Sequence, residues 1–486
     1  MIQSFFRTIL LRLLAWVEKN PQATAVHRNG AGRIWNREIN IPSSLVAVVS
    51  MLIFFVVLLA EAEPSWMHAG GLVLFLGMVF IYIWVYLKNE KPHLVADSEA
   101  VMLLGVLCTS AVLVMQIFRE LSWPLATPVA AFTLLVGLLL SRSLALIIAI
   151  VLSIIMAVLN DFQFEYFFIH VFGASAGIFA LARVRTRSDM YHIGVKVVAA
   201  ILAATLIAHG FLSWPTDVLA RNLLMAAASG VASVGIVPFV LPYLESFFSR
   251  TTNIKLIELA DFNQPLLRRL MLEAPGTYHH SLVMASLAEP AAAAIGANPL
   301  FARVGAYYHD IGKLAHPEYF IENQQVSANP HDPLTPTMSS LVVTSHVKDG
   351  VALAQAHKLD RAIIDLIEQH HGTSLIHYFY HRALEHDTAI NQESFRYAGP
   401  KPRTKIAAII MLADAVEAAS RSVEEPSPAR LKDTVEQVIN NKFTDGQFSD
   451  CPITMRDLSA IAECMIATLG GIYHARIDYQ KPSAET

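Results

Sequence analysis

The sequence predicts an all-α chain in two parts, a polytopic helical membrane domain followed by a cytoplasmic all-helical domain. Three observations carry that prediction. Apolar residues make up 54% of the 486 positions and charged ones only 16%, with the apolar excess concentrated before residue 245, a balance unlike that of a soluble enzyme. Basic residues gather in every second turn between the apolar segments. Beyond residue 250 the apolar positions follow helical spacing, and no alternating strand pattern of any length occurs.

Residues 1–43 form a basic arm carrying Arg7, Arg12, Lys19, Arg28, Arg33 and Arg37 against Glu18 and Glu38, opening on an amphipathic stretch from Ile2 to Val17. Such a stretch lies on an anionic membrane surface or forms a short cytosolic helix. Arg7 and Arg12 break its apolar core, which argues against a signal peptide.

The membrane domain, 44–245, contains eight apolar segments at roughly 44–60, 68–87, 100–118, 125–140, 143–159, 164–182, 193–212 and 222–241. Each is near the length a bilayer requires. With the arm inside, the inner turns hold Lys88 and Lys91, Arg142, then Arg183, Arg185, Arg187 and Lys196, then Arg250 and Lys255; the outer turns hold Glu61, Glu63, Arg119 with Glu120, Asp161, Glu165 and Asp217. This asymmetry follows the positive-inside rule, and eight spans return the chain to the cytoplasm. The expected location is therefore the inner (cytoplasmic) membrane, multi-pass. Gly173 and Gly177 have the spacing for close helix packing. His170 and His209 either line a sensing pocket or pathway or are hydrogen-bonded interfacial histidines. No run of buried charge marks an ion pathway.

A linker helix is expected over 246–274, interrupted at Pro265, followed by the cytoplasmic domain at 275–475 and a C-terminal tail at 476–486. Thr277 is placed as an N-cap after Pro275-Gly276, opening a helix that carries His280 and that Pro290 should kink or end. The next helix starts near Pro299 and ends on His309-Asp310. Four prolines, Pro317, Pro330, Pro333 and Pro336, make the following stretch a loop, and a long loop beside a candidate site is often a lid or a substrate-contacting segment. Further helices are expected at 337–357, 360–371, 374–385, 403–421, 427–440 and 455–472.

The chemistry-bearing residues lie in this second half. His309-Asp310 alone is more often a solvated helix cap than a metal site, but it is accompanied by His279-His280, His346, His370-His371 and Asp414. Asp414 falls inside the apolar run from Ile406 to Ala419, where a carboxylate needs a compensating charge. Asp310 has two oxygens and could bridge two ions. Cys108, Cys451 and Cys464 have no metal-motif spacing. The net charge of -4 argues against a nucleic-acid polymer as partner.

The set His280, His309-Asp310, His346, His370-His371, Asp414 resembles the H…HD…H…HH…D pattern of HD-domain phosphohydrolases in their two-metal form. The flanking text Glu273-Ala-Pro-Gly-Thr-Tyr-His-His-Ser-Leu, Tyr307-Tyr-His-Asp-Ile-Gly-Lys, Pro317-Glu-Tyr-Phe-Ile-Glu-Asn-Gln and Gly399-Pro-Lys-Pro resembles more narrowly the seven-transmembrane HD proteins, which hydrolyse cyclic di-AMP. Members commonly carry a large extracytoplasmic domain after the first span; here only residues 61–67 stand there.

The resemblance implies a membrane-bound phosphodiesterase opening cyclic di-AMP to linear pApA with two divalent ions, an imidazole-rich set with a bridging carboxylate suiting manganese or iron while imidazole also accepts zinc or nickel. It assigns His280, His309, Asp310 and Asp414 to one ion and Asp310, His346, His370 and His371 to the other. The ions would activate a water for in-line attack. His309, Asp310 and Lys313 are the candidate catalytic residues, Lys313 either adding a cation to the phosphate or standing as a solvated helix-end lysine. His279, adjacent to His280, points elsewhere on its helix and is not read as a ligand, whereas His316, His331, His377, His381 and His386 read as surface or substrate-rim residues. The expected partners are cyclic di-AMP and the lipid bilayer, with a homodimer as an admissible assembly. The alternatives are hydrolysis of cyclic di-GMP or a dNTP, and a receptor that binds nucleotide without cutting it. Thr373-Ser374-Leu375 stands where a cyclic di-GMP enzyme of the HD-GYP group would carry Gly-Tyr-Pro, which disfavours the first.

Overall fold

The computed structural model describes residues 43–59, 66–181, 189–211, 214–324, 329–385, 390–423 and 426–473. The arm up to residue 42, the tail from 474, His386, and Arg183, Arg185 and Arg187 lie outside the described residues. The chain divides into two compact units, Met1–Arg250 and Thr251–Thr486. Among the described residues every regular element is helical, and the one β feature is an isolated bridge between Leu375 and Arg396.

In the first unit the eight apolar segments fall on α1 (Ser43–Leu59), α2 (Trp66–Glu90), α4 (Ser98–Glu120), α5 (Val129–Leu139), α6 (Arg142–Leu159), α7 (Phe164–Ala180), α8 (Asp189–Phe211) and α9 (Leu219–Phe247), with the short α3 (Pro92–Ala96) between α2 and α4. Among the described residues, five helices are long and apolar enough to cross a membrane by length and composition, within 73–90, 98–120, 142–159, 189–211 and 216–247. Helices suit such a solvent because they satisfy their own backbone hydrogen bonds. Large apolar side chains point outward, Leu74 at 76% and Phe211 at 83% exposure, as expected of a surface that faces lipid rather than water.

Glycine sets the closest approach in this unit. A Cβ at Gly173 would run into Ile201 and one at Gly177 would press on Val197, so the pair lets α7 lie tightly against α8. His209 is hydrogen-bonded to Asn222 (3.2 Å) and stacked on Trp214, while His170 is buried. Asp97 caps α4 by accepting from Glu99 and Ala100, and Arg250 closes on its other oxygen at 2.7 Å.

The second unit begins with α10 (Asn253–Leu259), capped by Thr252, and α11 (Pro265–Glu273), with Pro265 in its first turn, where its missing N–H costs nothing. Then come α12 (Pro275–Ala294), α13 (Pro299–Tyr308), α14 (Pro336–Ala356), α15 (Arg361–Gln369), α16 (His377–Leu384), α17 (Lys405–Arg421), α18 (Pro428–Thr444) and α19 (Met455–Ile472). Every residue from Ile406 to Ala413 in α17 is buried. A helix apolar on all sides takes the centre.

Two apolar clusters surround it. Met284, Ala302, Ala306, Leu366, Ile409, Val435 and Met465 belong to one, and Leu256, Leu270, Val304, Tyr308, Ile363 and Ile367 to the other. Both α13 and α15 contribute to each cluster, which fixes their C-terminal ends, His309-Asp310 and His370-His371. The segment read as a linker takes part in this packing. The Tyr308 hydroxyl donates to the Leu259 carbonyl at 2.9 Å. Asp360, just before α15, accepts from the Thr251 hydroxyl at 2.8 Å and is ion-paired with Lys255.

Two local expectations differ from the structure. Helix α12 starts at Pro275 rather than after Thr277, because the Thr277 N–H is satisfied from outside by Asn323 Oδ1 at 3.0 Å. It also runs through Pro290 to Ala294. Proline inside a helix costs about 3 kcal/mol, but Leu287, Ala288, Ala291 and Ala292 are fully buried on the same stretch, and extending the helix keeps them there. The proline-rich loop holds three short 3-10 turns, Ile311–Ala315, Pro317–Tyr319 and Ile321–Asn323.

Candidate metal centre

The centre is built on the corner after α13. Tyr308 ends the helix, His309 and Asp310 turn out of it, and Gly312 backs directly onto α14. A Cβ at Gly312 would run into the His346 carbonyl and the Gly350 nitrogen. Only glycine brings the Asp310 corner this close to the turn of α14 that carries His346. His370 closes α15, and Gly372 then turns the chain with φ +52°, a left-handed conformation that favours glycine.

Asp310 divides its two oxygens between two groups of histidines. Oδ2 lies 3.2 Å from His309 Nε2 and 3.8 Å from His280 Nε2, whereas Oδ1 lies 3.3 Å from His346 Nε2 and 3.5 Å from His370 Nε2. Asp414 approaches from α17, with Oδ1 3.2 Å from His280 Nε2 and 4.0 Å from His309 Nε2, and Oδ2 3.4 Å from His371 Nδ1. All seven side chains are thus gathered. Two sets, His280, His309, Asp310 and Asp310, His346, His370, His371, each have donor atoms within 4.8 Å of one another and could hold a metal ion.

The buried atoms point the same way. His280 Nε2, His309 Nε2 and Asp310 Oδ1 are enclosed and make no hydrogen bond, although an orphaned buried polar atom costs about 1–3 kcal/mol. Imidazole nitrogens and carboxylate oxygens enclosed together on the two sides of Asp310 form donor sets suited to divalent cations.

The far sides of the imidazoles are held differently. His309, His346 and His370 use Nδ1 against the carbonyls of Ala306, Val343 and Ile367, at 2.8, 2.6 and 2.8 Å. His280 instead places Nδ1 2.6 Å from Glu417 Oε2, a carboxylate whose other oxygen pairs with Arg421. Burial opposes charge on His280, but Asp414 and Glu417 together push its pKa up to about 10. At His346 burial dominates and pushes the pKa down to about 4, and His371 is likewise lowered. Burial also opposes the charge of Asp310, yet His309 and Lys313 hold its carboxyl well below the usual range.

Lys313 is not a solvated helix-end lysine. Its ammonium lies 2.8 Å from Asp310 Oδ2 and 2.6 Å from Glu322 Oε1, over the Phe320 ring. Glu322 in turn accepts from the Thr277 hydroxyl at 3.0 Å. The proline-rich segment is thereby fastened onto the site, and Phe320 meets His346 edge-on.

Sequence reasoning missed Glu322, Glu417 and Tyr397, whose ring stacks on His371 at 4.2 Å. Glu417 carried a readable signal: it stands three residues after Asp414 on α17, hence on the same face. Of the remaining histidines, His279, His316, His377 and His381 are exposed. His331 departs from its surface reading, being buried with Nε2 2.9 Å from the Tyr319 carbonyl.

An apolar helical bundle and an all-helical unit with clustered histidines and aspartates define a membrane protein bearing an HD-type hydrolase domain. Residues 66–252 match the family described as "7TM receptor with intracellular HD hydrolase", and residues 277–419 match the HD domain. The chain belongs to this family of seven-transmembrane HD proteins. It is 37% identical over 426 residues to the cyclic-di-AMP phosphodiesterase PgpH of Bacillus subtilis, covering 84% of this chain and 60% of that protein. It is 48% identical over 240 residues to PgpH of Listeria monocytogenes, covering 49% of this chain and 33% of that one. The crystal structure of the Listeria HD domain in complex with cyclic-di-AMP is similar over 44% of this chain and 100% of its own length, at 48% identity and a TM-score of 0.43. The chain therefore spans between a third and about three fifths of the length of these two curated relatives.

Proposed function

We propose that this protein is a membrane-bound, metal-dependent phosphodiesterase that hydrolyses cyclic di-AMP to linear pApA. The observation that carries the reading is the division of Asp310 between two histidine groups, Oδ2 toward His309 and His280, Oδ1 toward His346 and His370. The two curated relatives named as cyclic-di-AMP phosphodiesterases supply the substrate. In this reading His280, His309, Asp310 and Asp414 hold one divalent ion, and Asp310, His346, His370 and His371 hold the other, manganese or iron being suited to the set. Such ions supply Lewis-acid charge to a phosphate and make a water acidic enough to attack it at neutral pH.

The chain's own residues do the positioning. Asp310 sets the separation of the two halves. Lys313, held by Glu322, fixes the rotation of the Asp310 carboxylate, and Phe320 covers the His346 edge against water. The basic inner turns support an inner (cytoplasmic) membrane location with the HD domain on the cytoplasmic side.

Glu417 orients His280 and raises its basicity. Glu417→Gln is expected to weaken metal binding about 10- to 100-fold, measured by competition with a chelating dye, while helix content stays unchanged. Equal affinity in the variant would remove Glu417 from this role.

The reading is tested with the full chain in detergent and Mn2+, offered cyclic di-AMP, cyclic di-GMP and dNTPs in turn. Loss of cyclic di-AMP with stoichiometric pApA is the expected result. Turnover of another nucleotide with cyclic di-AMP untouched, or binding of cyclic di-AMP without a linear product, would overturn it.

A further inference from the structure

The cations around the centre are unequally matched. Lys313 lies between Asp310 and Glu322, Arg421 pairs with Glu417, and Arg396 pairs with Asp445 at 2.9 Å. Lys442 on α18 differs. Its ammonium donates to Ser374 Oγ at 2.7 Å and has no carboxylate ion pair among the described residues. Burial lowers its pKa, against the opposing pull of the Asp414 and Asp445 charges. The ammonium is half-buried, and with three donors and no paired carboxylate it keeps donor capacity that an incoming anion can take up.

Its place in the fold is tied to the centre. Ser374 is buried and follows His371 by three residues; its N–H donates to the His371 carbonyl at 3.0 Å, and its own carbonyl accepts from Tyr397 at 3.1 Å. Tyr397 is the ring stacked on His371. The turn between them is braced from outside: the Thr373 N–H donates to Gln447 Oε1 at 2.9 Å, and Arg396 donates to the Thr373 carbonyl at 2.8 Å. Lys442 and the Ser374 hydroxyl therefore sit beside the turn that follows His371, where the Asp414 charge acts on the ammonium.

We propose that Lys442, with the Ser374 hydroxyl, holds the second phosphate of a cyclic dinucleotide while the first lies against the Asp310 centre. This rests on the phosphodiesterase reading above. A cyclic dinucleotide carries two phosphodiester anions and only one is cut at a time, so the other must exchange its water for donors of the protein. An ammonium and a hydroxyl side by side offer charge-assisted hydrogen bonds to it. A substrate with a single phosphodiester cannot use both places, so the pair also sets specificity.

The test uses the full chain in detergent with Mn2+ and compares cyclic di-AMP with bis(p-nitrophenyl) phosphate, which has one phosphodiester. In Lys442→Gln the KM for cyclic di-AMP should rise about 10- to 100-fold, metal content should stay at the wild-type level, and the ratio of kcat/KM between the two substrates should fall at least about tenfold. Lys442→Arg should recover most of that ratio. If Lys442→Gln does not fold, Ser374→Ala serves, and its ratio should fall about threefold or more. An unchanged ratio in the folded variants, whether both activities drop together or neither moves, overturns the subsite and leaves Lys442 as a brace between α18 and the 372–374 turn. A wild-type chain inactive on cyclic di-AMP overturns the phosphodiesterase reading itself.

Discussion

Asp310→Ala is expected to abolish turnover and to strip most of the metal, while the protein still inserts in membrane. Losing the carboxylate shared by both halves removes the interaction that holds the reacting phosphate's environment together. A loss of several kcal/mol of transition-state stabilisation corresponds to roughly 10³–10⁴-fold in rate. Metal analysis of purified protein and single-turnover assays measure the two effects independently. Asp310→Asn, which keeps the shape of the side chain, should lose metal and rate almost as fully without emptying the space beside Lys313. A variant with full metal content and near-normal rate would sink the assignment of Asp310 as the shared ligand.

Gly312→Ala should be nearly as damaging, although it alters no candidate ligand. The added Cβ meets the His346 carbonyl and the Gly350 nitrogen, backbone atoms that cannot rotate away. The 310–312 corner and α14 must separate, which costs about 1–3 kcal/mol as overpacking. Asp310 Oδ1 then moves off His346 Nε2, now at 3.3 Å. A displacement of about 1 Å at a catalytic centre costs on the order of 100-fold in rate. The expected outcome is a lower unfolding temperature together with weakened metal binding. Gly470→Ala is the control, since nothing lies within 4 Å of its added Cβ; the same losses there would show that the Gly312 effect is not steric.

Much of this was legible in the sequence because it depends on local chemistry. The apolar segments fall on helices because a stretch near 20 apolar residues has few other stable states, and α14 to α19 begin and end within a few residues of their expected bounds. The seven metal-ligating candidates could be picked out by residue type and company. What could not be read is tertiary. Glu322 reaches Lys313 across the proline-rich segment, and Asn323 satisfies the start of α12 from 46 residues away. Pro290 does not end α12 for the same reason, since the penalty of a proline is local while the burial that offsets it comes from distant helices. Lys313 showed its charge in the sequence but not its two acidic neighbours.

The contacts of α10 have a mechanical consequence. One end of that short rod is tied through Thr251 and Lys255 to Asp360 at the root of α15, and the other through Leu259 to Tyr308 at the tip of α13. Those two helices deliver His370-His371 and His309-Asp310, so the rod spans both jaws of the centre. Sliding or tilting it must either snap one of the ties or change the gap between the jaws, and the distances on either side of Asp310 become a gauge of where residues 251–259 stand.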